Sequence, residues 1–144
     1  MRAVTTIAAI LAVAWTTGCG SANDSGEASG SARTDAAKQA LKNFYAAAND
    51  ADGGRACGYL TMDGIRQIVR VRSRPDCVRT VGALSPGSFA GATGDADLVD
   101  VEHVEEREGA VDVEAEVHGR SGGTYRLVDR RGMLLIDGFE PEEK

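Results

Sequence analysis

Side chains able to do chemistry are few and scattered in this chain. Its 144 residues hold three cysteines, two histidines and three tyrosines. Cys57 and Cys77 stand twenty positions apart and form no Cys-X-X-Cys, the spacing a redox-active pair normally uses. Zinc would want four ligands, and His103 and His118 are the only histidines. Two readings of the pair stand: a structural disulfide, the simpler one if the chain is exported, or two buried free thiols. A disulfide closing a loop of that size would stabilise the fold by roughly 3 kcal/mol.

Acid–base catalysis would need a polar group held in an apolar interior, where its pKa shifts. His103 alternates with Val99 and Val101, which sets it on their face; Tyr45, Tyr125 and Asp129 are the other candidates to line a pocket. A lone His among valines is more often a core or rim residue than a base. The chain has no Walker-type loop, no His-Glu-x-x-His and no dinucleotide fingerprint, so no catalytic residue, metal or cofactor is assigned.

Charge is segregated. Asp95 to Glu116 holds ten acidic residues, with Arg107 the only base among them. Alternate carboxylates on one strand lie nearly 7 Å apart, too far to share one ion unaided. The stretch reads as a solvated strand face that keeps the sheet soluble. Arg66, Arg70, Arg72, Arg74 and Arg79 form a basic stretch, read as partners for nearby Asp63 and Asp76 or for the acidic strands. The net charge of −6 argues against nucleic acid.

The elements that must position these groups can be read from periodicity. Thr34 is a candidate N-cap, and Ala37, Leu41, Phe44 and Ala48 then make one helical face. Gly53-Gly54 is read as its end. A short helix carries Ala56, Cys57 and Leu60; Thr61 caps another with Ile65, Ile68 and Val69; Ser73-Arg74-Pro75 starts a fourth with Cys77, Val78, Val81 and Leu84. After the loop Ser85 to Gly94, the period becomes two. Val111, Val113, Ala115 and Val117 alternate with Asp112, Glu114, Glu116 and His118. Leu98 to Val104, Thr124 to Val128 and Met133 to Phe139 are further strands, joined by turns at Glu108-Gly109, Ser121-Gly122-Gly123 and Arg131-Gly132. Helices followed by an antiparallel meander predict an α+β fold, with N-terminal helices packed on a curved four-stranded sheet in a cone-like arrangement.

The N-terminus reads as an export signal. Arg2 precedes Ala3 to Trp15, thirteen residues without charge, too short to span a bilayer. Thr16, Thr17, Gly18 and then Cys19 resemble the lipobox of bacterial lipoproteins, in which the Cys is lipidated and becomes the new N-terminus. The resemblance implies a signal peptide over 1–18, a lipidated Cys19 and a flexible tether through residue 33. Residues 34–144 are then one α+β domain held at the outer face of the cell membrane by lipid alone.

A second resemblance covers roughly 34–140. Leu41-Lys42-Asn43-Phe44-Tyr45, Cys57-Gly58-Tyr59-Leu60-Thr61 and Leu135-Ile136-Asp137-Gly138-Phe139, in that order with the Cys pair, resemble the nuclear transport factor 2-like superfamily. The nearest likeness is to small lipoproteins of high-GC Gram-positive bacteria. The resemblance implies a cone that often encloses a pocket. Its functional expectation is a non-enzymatic binding or accessory module with a protein or small-molecule partner. The alternative is a small pocket enzyme like ketosteroid isomerase or scytalone dehydratase.

Overall fold

The computed structural model describes residues 27–87, 98–118 and 122–142. Helix α1 (Glu27–Asn49) is followed by α2 (Gly53–Gly58), by α3 (Met62–Gly64) running into a π-helical turn (Ile65–Val69), and by α4 (Arg74–Gly82). Strands β1 (Val99–Arg107), β2 (Ala110–Val117), β3 (Gly123–Arg130) and β4 (Met133–Pro141) form one antiparallel sheet in the order β1-β2-β3-β4. The fold is α+β, with helices packed on a curved open sheet.

The core lies between the predicted helix face and the predicted strand face. Ala37, Leu41, Phe44 and Ala48 of α1 are buried, and Val111, Val113, Ala115 and Val117 of β2 are at most 1% exposed. Leu60, Ile65, Leu127 and Ile136 complete it. The helix starts seven residues before the Thr34 cap read from sequence. Thr34 lies four positions after Gly30 and three before Ala37, on the helix's half-buried side, so the same spacing carries the helix back through residues assigned above to the tether.

Local signals explain the short elements. The Thr61 hydroxyl accepts from the Gly64 amide (3.1 Å) and caps α3; the Ser73 hydroxyl accepts from the Asp76 amide (3.2 Å) and caps α4, where Pro75 occupies the first turn. Gly53-Gly54 opens α2 rather than ending α1; the left-handed residue between the helices is Ala51 (φ 57°). Arg131 and Gly132 both have positive φ, as a two-residue hairpin turn with matching twist requires. Gly123 belongs to β3 instead of the turn: a Cβ there would stand 2.5 Å from the Phe139 ring.

The outer edge of β4 is covered in its middle. Leu60 makes a parallel bridge to Ile136, with the Ile136 amide donating to the Tyr59 carbonyl (2.8 Å) and the Thr61 amide to the Ile136 carbonyl (3.0 Å). The Gln67 side chain, on the π-helical turn, accepts from the Phe139 amide (3.2 Å). These bonds satisfy an edge that could otherwise pair with another chain.

Candidate functional site

Of the four polar residues expected to line a pocket, two meet. The hydroxyls of Tyr45 on α1 and Tyr125 on β3 are 2.7 Å apart, and both side chains are buried. Phe44 lies edge-on to Tyr45 (centroids 4.8 Å apart), and Phe139 packs on Tyr125 at 4.7 Å. The pair ties helix to sheet within an aromatic cluster; neither tyrosine lines the polar cavity on the outer sheet face or the apolar groove beside α1, and of the cluster Phe139 alone reaches the former.

His103 and Asp129 go elsewhere. The β1–β2 register shifts between Val101 and His103, leaving Glu102 as the extra residue of a bulge. Val104 therefore takes the core position opposite Val113, while His103 faces Glu114 and is exposed. Strict alternation would have set His103 inward with Val99 and Val101; one inserted residue reverses that. Asp129 is exposed and accepts from the Gly132 amide (2.9 Å), shaping the β3–β4 turn.

The outer sheet face carries a polar cavity of about 350 Å³. Its anchor is Asp112, whose side chain is only 10% exposed: Oδ2 takes Arg107 Nε at 3.0 Å and Oδ1 takes Arg126 Nε at 3.2 Å. Asp112 is thus covered, against the expectation of a wholly solvated stripe, whereas Glu114 and Glu116 on the same strand are exposed. Arg107 also bonds Glu105 (2.9 Å), and that hydrogen bond, with the charges of Glu105 and Asp112, holds its pKa above the ordinary value. Gly138 lies directly across from Arg126, and Gln67 closes one side.

A larger, apolar groove of about 530 Å³ runs between α1, α2 and the start of β4. Ala36 and Ala40 line it from α1, Gly54 and Gly58 from α2, and Met133 and Leu134 from β4. Met133 is 63% exposed. Sequence reasoning missed this groove, since it is formed by the docking of three elements; the exposed Met133 and the glycines of α2 were the only local traces of it.

The remaining candidates have structural roles. Cys57 on α2 and Cys77 on α4 form a disulfide with Cα atoms 6.1 Å apart. In the basic stretch, Arg66 pairs with Asp63 (2.8 Å) and Arg79 with Asp76 (3.2 Å), each three residues apart. Arg74 donates to the carbonyls of Cys57 and of Leu60 (2.9 Å to the latter), closing the end of α2. The string Gly119-Arg120-Ser121-Gly122-Gly123 has the letters of a nucleophile elbow, which leads from a strand into a helix, whereas here strand β2 precedes and strand β3 follows; Gly119 to Ser121 themselves lie outside the described residues. Among the described residues no group of three or more His, Cys, Asp or Glu side chains could hold a metal ion, and no helix is long and apolar enough to cross a membrane. Cys19 lies outside the described residues. No protein-family model, curated protein or solved structure matches the chain.

Proposed function

We propose that this chain is an extracytoplasmic lipoprotein, anchored to the cell membrane by the lipid on Cys19, whose domain is a non-enzymatic binding or accessory module of nuclear transport factor 2-like kind. The observation that carries the reading is the Cys57–Cys77 disulfide, a bond that persists in oxidising compartments and is rare in reducing ones. The lipobox-like sequence before Cys19 supplies the means of attachment. Support for a module over an enzyme comes from the scattering of the polar residues: Tyr45 and Tyr125 bond each other, while His103 and Asp129 are exposed at separate places.

Fractionation tests the anchor. The wild-type chain should sediment with membranes and incorporate an alkyne-tagged fatty acid, and Cys19→Ala should do neither. A Cys19→Ala chain that still sediments with membranes would make the apolar run 3–15 a retained signal anchor instead.

A further inference from the structure

The polar cavity on the outer sheet face holds more hydrogen-bonding capacity than the fold uses. Asp112 engages both carboxylate oxygens on arginine Nε atoms, Arg107 at 3.0 Å and Arg126 at 3.2 Å, and its side chain is only 10% exposed. A covered ion pair adds little to stability, because desolvating the charges offsets their attraction. What this one does is hold the Arg126 guanidinium by its Nε, which leaves both Nη groups as donors.

The neighbouring side chains are half engaged or not engaged at all. Gln67 accepts from the Phe139 amide through Oε1 (3.2 Å), and its Nε2 keeps two donors. Asp137 is the extra residue where the β3–β4 register shifts, a bulge that re-aims its side chain. Its Oδ1 takes the Thr61 hydroxyl (2.7 Å), and Oδ2 stays available. Among the described residues the Thr124 hydroxyl and the Glu140 carboxylate have neither a hydrogen bond nor an ion pair. Arg126 shares the cavity with Asp137 and Glu140 and pairs with neither, while Gly138 adds no side chain to the space between them.

The lining decides the ligand class. Arg107 and Arg126 face the cavity together with the carboxylates of Asp112, Asp137 and Glu140. An anion would meet the carboxylates and a cation the guanidiniums, and among the described residues no acidic group could hold a metal ion. A small zwitterion has only two polar ends to offer. A hydroxyl both donates and accepts. A ring bearing several hydroxyls therefore meets Arg126, Gln67 and Thr124 as donors and Asp137 and Glu140 as acceptors at once. Phe139, half-buried at the cavity, supplies an apolar patch for the C–H groups of such a ring. The volume of about 350 Å³ lies in the range of small-ligand sites.

We infer that the cavity over β2, β3 and β4 binds a neutral saccharide, its hydroxyls bridging Arg126 and Gln67 to Asp137 and Glu140. The inference rests on the binding-module reading and names its ligand class.

The test uses the full chain with Cys19→Ser, labelled with nitrogen-15, and D-glucose, D-mannose, D-galactose and N-acetyl-D-glucosamine as probes. At least one of these sugars should shift the amide resonances of Thr124, Arg126 and Gly138 saturably. Thr124→Val and Glu140→Ala each remove one bonding group on the outer face. Each should weaken that sugar about fivefold, the contribution of one hydrogen bond, with the resonances of the core unchanged. Glu116→Gln, exposed on β2 outside the cavity, should leave binding unaffected. The inference fails if none of the sugars saturates, if both cavity variants bind as the wild type does, or if Glu116→Gln weakens binding as much as they do. It also fails if inorganic phosphate or glycine moves the same amides at lower concentration, since the cavity is then a site for an ion or a zwitterion. Failure on any of these counts leaves the lipid anchor untouched, because the tested chain lacks it. A sugar that binds here and is chemically altered, as its own proton spectrum would show, supports the saccharide site and overturns the non-enzymatic reading instead.

Discussion

Tyr45 and Tyr125, eighty residues apart in sequence, join helix α1 to strand β3 through a hydroxyl–hydroxyl hydrogen bond of 2.7 Å. The rings meet nearly perpendicular, centroids 6.0 Å apart, so the bond comes with an edge-on aromatic contact. Tyr45→Phe or Tyr125→Phe alone takes a bonding partner from a buried hydroxyl and should cost about 1–3 kcal/mol. The double variant removes both groups and should cost less than the sum of the two, by about 1 kcal/mol of coupling. Urea unfolding of the four proteins measures this; strictly additive changes would show that the two hydroxyls are stabilised independently.

The β2 face gives a sharper contrast. Val113 is fully buried and Glu114 exposed. Val113→Asp should cost several kcal/mol, because the carboxyl must be neutralised or hydrated in the core, a large part of the about 5–15 kcal/mol that holds a typical domain. Glu114→Lys should change stability by under about 0.5 kcal/mol. Thermal melts of the two variants decide; equal effects would be incompatible with the alternation along this strand.

The reason β2 was legible and β1 was not lies in composition. In β2 every second residue from Val111 to Val117 is Val or Ala and every other one acidic, so only one register buries the apolar set. In β1 the run Glu102-His103 contains no apolar residue to reveal the bulge, and only Val104, facing Val113, shows that the phase has shifted. The Thr61 cap and the helix start at Ser73-Arg74-Pro75 were readable because each signal acts within three residues; the structure makes Ser73 itself the cap. The cover over Asp112 was not, since Arg126 reaches it from the next strand, fourteen positions away. The apolar groove was illegible for the same reason: its walls come from α1, α2 and β4, and no segment alone implies the space between them.

Loss of the disulfide should be costly. Cys57 and Cys77 are both fully buried and join two short helices that have little other apolar surface. Cys57→Ala with Cys77→Ala should lower stability by roughly 3 kcal/mol, the loop-closure estimate for this separation. Mass spectrometry of the exported protein gives the prior check: two free thiols would remove the prediction and the export argument with it.

Two glycines in one short helix should respond with opposite signs. Gly53 and Gly58 both belong to α2, and neither has a positive φ. Gly58→Ala adds a methyl group that meets nothing within 4 Å, so it should stabilise by a few tenths up to about 1 kcal/mol through helix propensity alone. Gly53→Ala places its Cβ 2.1 Å from the Val78 carbonyl oxygen and 3.0 Å from the Gly82 nitrogen, both backbone atoms of α4. Relief would require α2 and α4 to separate, and the Cys57–Cys77 bond ties those same helices together, so the overlap has little room to relax. Gly53→Ala should therefore destabilise by about 1–3 kcal/mol, as overpacking does. Denaturant midpoints at unchanged slope read both effects, and reducing the disulfide should lessen the Gly53→Ala penalty relative to the reduced wild-type chain, since the two helices are then free to part.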